Sequence, residues 1–486
     1  MMETPNSRRS VFSGLFWVYS ETIAAQLVTF IVTIILARLL SPNDYGTIAL
    51  VTVFVNVANV FVNNSFSYAL IQKKDVDELD YNTMFWFNLS ISAFLYILLF
   101  FGAPYISRYY DIAILCPVLR VLAIKVPVSA YNSIQLAKVA KELKFKKSFI
   151  STSGSTFVSG IIGIILAYKG YGIWALAVQV ISNAVLNTIF LMAIVEWHPR
   201  IQFSWGRLQP LFQFGWKILA TGLMFTGFSE FVKLVIGKRY STDELGYYEK
   251  GSQFPHFIAS NVDTTINRVL FPTLSNQQDD RKRLVEVTRR SAKTGAYIMT
   301  PILFGLAITA PTIIHLLLTD KWLPCVPFVQ LLSFSWWLQP TQSCSIQGIK
   351  AIGRSDVYLH VEIFAKVFAV IALILSILLF DSTLAIACSL LLAQIFAVIV
   401  YGYYAEKLLG YKIKEQVYDL FSCGVIGLIM MIVVYFVGLI DVNEIVLLCI
   451  QTIIGAVVYI VFSKLFRLEE FSYLLGLVKQ SKSNKK

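Results

Sequence analysis

Charge is scarce in this sequence. Of its 486 residues only 14% are Asp, Glu, Lys or Arg, while 57% are hydrophobic. Soluble domains carry about 25% charged and about 45–50% apolar residues, and a soluble chain of this size would divide into domains joined by polar linkers, of which there are none. Cysteine is sparse and scattered. Cys116, Cys325, Cys344, Cys388, Cys423 and Cys449 never come closer than 19 residues, which excludes CxxC metal and redox spacings. All sit in or beside apolar runs and read as buried free thiols that pack as small hydrophobes. The four histidines, His198, His256, His315 and His360, form no HxxxH pair, so no metal site is expected. Long loops are missing too. None exceeds roughly 20 residues, which excludes an appended catalytic domain and disfavours polysaccharide polymerases and ligases.

What is present is apolar helix. The mean hydropathy is +0.67, and the chain reads as an all-α polytopic membrane protein. A bilayer core about 30 Å thick needs about 20 apolar residues per helix. Fourteen candidate spans meet that need: 12–38, 45–69, 81–103, 113–136, 149–168, 171–194, 211–236, 247–274, 292–316, 325–349, 357–379, 382–404, 418–439 and 442–463. The span at 247–274 is the most polar, with Asp263 and Arg268 inside it. The break near residue 42 rests on the turn cluster Ser41-Pro42-Asn43-Asp44. The apolar run Val11–Leu40, behind Arg8 and Arg9, exceeds the core of a signal peptide, about 7–15 residues, and reads as a retained first span.

The net charge is nevertheless +12, from 41 Lys and Arg against 29 Asp and Glu. With a cytoplasmic N-terminus and alternating spans, 28 of the 41 cations fall on the cytoplasmic side and 7 on the other. The positive-inside rule favours that orientation, with both termini inside. Six cations stay within spans: Arg120, Lys125, Lys217, Lys233, Arg268 and Lys366.

A repeat appears at an offset of 200. Residues Ile35–Gly46, ending Ser41-Pro42-Asn43-Asp44-Tyr45-Gly46, match Val235–Gly246, ending Ser241-Thr242-Asp243-Glu244-Leu245-Gly246. The offset pairs span 1 with span 7, which have the same orientation. It predicts two parallel-repeat six-helix lobes followed by two C-terminal helices, with a substrate site between the halves near the midplane. The expected divisions are an N-lobe at 1–204, a C-lobe at 205–406, spans 13 and 14 at 407–464, and a basic amphipathic cytoplasmic tail at 465–486. Apolar residues at helical spacing after Leu465 predict an interfacial helix in that tail.

A charge at the bilayer centre costs roughly 2.5–3.5 kcal/mol on insertion scales, so a deep charge marks a cavity or a pair. Arg120, Lys125, Arg268 and Lys366 lie too deep to be loop charges and are the candidate substrate-binding cations. Lys217 and Lys233 lie near span ends, within snorkelling reach. Glu362 and Lys366, spaced i,i+4, share a helix face and form a candidate internal pair, as do Glu230 and Lys233 at i,i+3. Glu21, Glu230, Asp263, Glu362 and His360 are the candidate coupling or ion-pair residues for Na⁺ or H⁺; none stands out, and no cofactor is expected. The cationic bias of the deep set suits an anionic headgroup, especially a phosphate or diphosphate.

The chain resembles the Wzx-type polysaccharide-transport flippases of the multidrug/oligosaccharidyl-lipid/polysaccharide exporter superfamily. The resemblance lies in Leu36-Ala37-Arg38-Leu39-Leu40-Ser41-Pro42-Asn43-Asp44-Tyr45-Gly46, Ala69-Leu70-Ile71-Gln72-Lys73, Glu142-Leu143-Lys144-Phe145-Lys146-Lys147 and Gly170-Tyr171-Gly172-Ile173-Trp174. It continues in Arg268-Val269-Leu270-Phe271-Pro272-Thr273-Leu274-Ser275, Lys321-Trp322-Leu323-Pro324 and Gly353-Arg354-Ser355-Asp356. Together these cover about residues 10–400, and Lys144 stands where the family often has Arg. The resemblance implies a MATE/MurJ-like fold of two six-helix lobes, working by alternating access in the bacterial inner membrane. It implies an undecaprenyl-diphosphate-linked oligosaccharide moved from the cytoplasmic to the periplasmic leaflet for surface polysaccharide biosynthesis. Membrane lipids and other polysaccharide-assembly membrane proteins are the implied partners, with no nucleic acid. It supplies no catalytic residue, and no enzymatic chemistry is expected.

Two alternatives stay open. A cation-coupled drug or metabolite exporter of the same superfamily would want an acidic cavity in the first half, where Glu21 stands alone against Arg120 and Lys125. A polytopic glycosyl or phosphoglycosyl transferase would need a loop-borne acidic or histidine cluster. The dense acidic set is Asp75, Asp77, Glu78 and Asp80, beside lysines.

Overall fold

The computed structural model describes residues 26–63, 66–73, 75–142, 144–275, 280–474 and 476. These are helical nearly throughout, with no strand among the described residues. The order is α1 Gln26–Leu39, then α2 Pro42–Asn63, α3 Phe66–Gln72, α4 Glu78–Tyr110, α5 Leu115–Leu122, α6 Lys125–Lys141, α7 Phe145–Tyr168, α8 Ile173–Ile194 and α9 Trp205–Arg239. There follow α10 Thr242–Ser275, α11 Arg281–Leu318, a 3₁₀ turn Asp320–Cys325, α12 Val326–Trp337, α13 Gln339–Ala351, α14 Ser355–Leu379, α15 Thr383–Leu409, α16 Ile413–Val437 and α17 Glu444–Leu465. A last short helix runs over 469–474.

Among the described residues, 11 helices are long and apolar enough to cross a membrane, and the chain is a multi-pass membrane protein. The other three expected spans each have a reason to fall outside that number. The first begins before the described residues and contributes α1. The eighth is the 34-residue α10, a continuous helix rich in polar side chains. The tenth comprises α12 and the polar α13, whose Gln339, Gln342, Gln347 and Lys350 interrupt its apolar run.

The chain forms two compact units, one up to Gly246 and one from Tyr247. In the first, Leu70, Met84, Phe85, Ile134, Leu191, Trp197 and Leu208 form one core. Val32, Leu36, Leu40, Ala175 and Leu176 form a second where α1 meets α7 and α8. In the second unit, Tyr297, Phe304, Ile426, Met430, Val434 and Tyr459 join α11, α16 and α17, with Leu468, Phe471 and Leu474 of the tail packed against them. The apolar side of the tail helix is thus used against protein. Long apolar side chains on the outer faces of α14, α16 and α17, such as Phe364, Ile371, Leu378, Ile432, Phe436, Ile453 and Ile460, are exposed, as helices that face lipid require.

The two copies of the repeat fold alike. Each has a helix ending at residue 39 or 239, a two-residue corner, and a helix starting at 42 or 242. The local cause is a recurring capping pattern, Ser-x-x-acid. Ser41 accepts from the Asp44 amide at 3.2 Å while Asp44 accepts from the Ser41 amide at 3.0 Å. Ser241 likewise accepts from the Glu244 amide at 3.1 Å.

Candidate functional site

The fourth span of each half of the repeat, the fourth and the tenth along the chain, is interrupted at a proline. Pro127 has no N–H to give the carbonyl of Ala123, four residues earlier, so the ladder tightens to Val126 N–H donating to Ala123 O at 3.0 Å and the span divides into α5 and α6. Pro340 leaves the carbonyl of Trp336 without its helical donor in the same way, between α12 and α13. In transporters built from repeats, proline-interrupted spans at corresponding positions of the two halves point to the substrate path.

The first break carries cations. Lys125 is the first residue of α6, half-buried. Its ammonium makes no hydrogen bond or ion pair with any described residue. By the helical rise it stands about 15 Å from the start of the span, near mid-membrane. Arg120, on α5, is engaged: its Nε donates to the Phe100 carbonyl at 3.1 Å and its guanidinium lies 4.4 Å from the Phe100 ring centroid.

The remaining sequence candidates are distributed as follows. Lys366 lies 3.6 Å from Glu362, and the buried Glu362 also accepts from the Tyr401 hydroxyl. Glu230 accepts from Asn56 Nδ2 at 3.1 Å and stands 3.4 Å from Lys233. The structure therefore forms both intrahelical pairs expected from the spacing. His360 is exposed on α14 and donates to the Asp356 carbonyl of its own helix at 2.7 Å. Asp263, on α10, accepts from Asn267 at 2.9 Å and from the Ser343 hydroxyl. Arg268 belongs to α10, but its side chain lies outside the described set, and Glu21 lies outside the described residues.

Three members of the dense acidic set, Asp77, Glu78 and Asp80, are structural. Asp77 and Asp80 form the capping box of α4. Fully buried Asp80 pairs with Lys73 at 2.6 Å, Asp77 with Arg207 at 2.9 Å, and Glu78 accepts from Trp197 Nε1 at 2.7 Å. The Asp80 amide and then the Arg207 charge hold the Asp77 carboxyl below the usual carboxylate range.

Sorting charges by depth overlooked two groups in the second unit. One is uncharged: Asn267, Gln339, Gln342, Ser343, Gln347 and Gln394 connect to Asp263 through side-chain hydrogen bonds. Its signal in the sequence was amide side chains inside apolar spans. The other is a charged clasp at the start of α11. Arg289 grips Asp419 through Nε at 2.7 Å and Nη2 at 3.0 Å. Lys293 reaches Glu469 and Glu470, each at 2.8 Å, and the Arg290 guanidinium sits 3.5 Å from the Tyr473 ring centroid. A cavity of about 460 Å³ opens beside it. Its cations Lys282, Arg289, Arg290 and Lys293 are matched by Glu286, Glu415, Glu469 and Glu470, which leaves no net charge for an anion.

Comparison with known proteins agrees with this architecture. A family model described as "Polysaccharide biosynthesis protein" matches residues 35–327. The succinoglycan biosynthesis transport protein ExoT of Rhizobium meliloti (strain 1021) is 24% identical over 74% of this chain and 72% of its own length. The lipopolysaccharide biosynthesis protein WzxC of Escherichia coli (strain K12) is 21% identical over 89% of this chain and 88% of its own. Among solved structures, the lipid II flippase MurJ in an inward closed conformation aligns with a TM-score of 0.75 at 18% identity, covering 93% of this chain and 98% of that one. An inward-facing multidrug-resistance MATE family transporter aligns with a TM-score of 0.63 at 13% identity, over 79% of this chain and 94% of that one. The chain has the fold of the multidrug/oligosaccharidyl-lipid/polysaccharide exporter superfamily and belongs to the polysaccharide biosynthesis protein family.

Proposed function

We propose that this protein is a flippase that moves an undecaprenyl-diphosphate-linked oligosaccharide from the cytoplasmic to the periplasmic leaflet of the bacterial inner membrane by alternating access. Both termini are cytoplasmic, as the cation count favours. The observation that carries the reading is Lys125. It is a half-buried ammonium at the Pro127 break, near mid-membrane, with no partner among the described residues. Lys366 and Lys233, by contrast, stand beside glutamates. A lysine left available at that depth suits a transient anion such as a diphosphate, for which it acts as a point charge. The names of the relatives, which concern succinoglycan and lipopolysaccharide biosynthesis, support the choice of a lipid-linked glycan as cargo.

The test is deletion followed by lipid extraction. The flippase reading expects an undecaprenyl-diphosphate-linked repeat unit to accumulate on the cytoplasmic face, with loss of surface polysaccharide. Unchanged lipid intermediates with altered drug tolerance would replace it with the exporter reading.

A further inference from the structure

The second unit holds a polar feature that a diphosphate does not need. Asn267 Nδ2 donates to Asp263 at 2.9 Å, and Gln347 Nε2 donates to Asn267 Oδ1 at 2.9 Å. The Ser343 hydroxyl donates to the other Asp263 oxygen and accepts from Gln339 Nε2 at 3.3 Å. Gln394 Nε2 donates to Gln339 Oε1 at 3.3 Å and to Gln342 Oε1 at 2.6 Å. One continuous ladder of seven side chains thus joins α10, α13 and α15.

The ladder lies deep in its spans. Gln394 is the twelfth residue of α15, about 16 Å along the helix and so near mid-membrane. In the ladder, Asp263, Asn267, Gln339, Gln342, Gln347 and Gln394 are all half-buried. Hydrogen-bonding capacity is also left over. Gln342 Nε2, Gln347 Oε1 and Gln394 Oε1 bond to no described residue. Donors and acceptors of an uncharged kind stand side by side, which is what a hydroxyl group, itself donor and acceptor, can pair with. Half-buried Trp336, one turn before Gln339 on the same interrupted span, adds an amphipathic aromatic surface.

We propose that this ladder is the glycan-recognition strip of the protein, which binds the hydroxyl-rich sugar of the lipid-linked cargo through Gln342, Gln347 and Gln394. The proposal rests on the flippase reading and adds one element to it: the amide-lined break in the second unit takes the sugar of the cargo.

The test uses the full-length protein in lipid nanodiscs and two probes. One is bare undecaprenyl diphosphate; the other is the lipid-linked oligosaccharide that the deletion strain accumulates. The wild type is expected to bind the glycolipid at least about tenfold more tightly than the bare diphosphate, the worth of one or two hydrogen bonds. Gln342→Leu and Gln394→Leu are expected to bring that ratio towards one while leaving affinity for the bare diphosphate unchanged. Lys125→Ala is expected to weaken both probes alike. Should Gln394→Leu not purify folded, Gln347→Ala, whose side chain bonds among the described residues to Asn267 alone, carries the measurement. A wild type with no preference for the glycolipid, or folded variants that keep the preference, would overturn the strip. Failure of the wild type to bind either probe would overturn the flippase reading itself.

Discussion

Gly46 and Gly246 meet back to back, each under the first turn of the other's helix. A Cβ on Gly46 would stand 1.6 Å from the Thr242 carbonyl oxygen, and one on Gly246 would stand 2.2 Å from the Pro42 carbonyl oxygen. The repeat offset of 200 relates both glycines and both carbonyls, so the two corners pack reciprocally, as in a two-fold contact. Asn43 fastens the same contact, donating to Thr242 Oγ1 at 2.5 Å and to Asp243 at 3.2 Å.

Gly46→Ala therefore forces backbone apart, since a carbonyl cannot rotate away as a side-chain tip can. Overpacking of this kind costs about 1–3 kcal/mol. The expected outcome is a lower melting temperature and reduced surface polysaccharide for Gly46→Ala and for Gly246→Ala. The double variant should lose less than the sum of the two, because both push on one contact. Additive losses would mean that the corners do not share it.

Lys125 and Lys366 should respond differently to removal. Lys125→Ala is expected to lower translocation by about tenfold or more with insertion and melting unchanged, because no described partner is left stranded. Lys366→Ala strips a cation from Glu362, which is 6% exposed and also held by Tyr401. It should lower stability first, with Glu362→Gln in the same chain restoring much of it. Accumulated lipid intermediate and detergent-solution melting measure the two effects separately.

Much of the fold was legible because lipid imposes a hydropathy rule on every span. The repeat was legible because Ser41 and Ser241 cap equivalent helices. Pairs within one helix, Glu362 with Lys366 and Glu230 with Lys233, follow from spacing alone. Asn56 with Glu230 and Arg289 with Asp419 do not, since they lie 174 and 130 residues apart in the chain. The ladder escaped for another reason. An amide costs less than a charge in a span, so depth alone does not single out Gln342 or Gln394. Pro127 and Pro340, which interrupt both fourth spans, were the readable sign of where to look.

The tail should loosen at low pH. The hydrogen bond from Lys293 holds the Glu469 carboxyl below its ordinary range. A depressed carboxylate stabilises fully above its unfolded pKa of about 4.3 and loses that contribution as the pH falls through the lower folded value. The protection factors of amides 469–474, exchange taken relative to the intrinsic rate at each pH, are expected to be constant from about pH 7 to 5 and to fall below about pH 4. Glu469→Gln should show the lower protection already at neutral pH and little further loss of it on acidification.

Lys293 also faces the sharper consequence of burial. Glu470 and Asp419 are nearly buried, 2.8 Å and 3.7 Å from its ammonium. Arg289 still serves Asp419 if Lys293 is removed, whereas no other described cation forms an ion pair with Glu470. Lys293→Ala thus leaves one carboxylate charged without compensation, a change that costs about 3–5 kcal/mol when the pair is buried. The expected result is a marked fall in melting temperature and rapid proteolysis near residue 468. Replacing both partners, as in Lys293→Met with Glu470→Gln, should recover most of the loss, because the penalty belongs to the unpaired charge and not to the missing attraction. A double variant as unstable as Lys293→Ala would locate the loss in the packing of the lysine stem along α11.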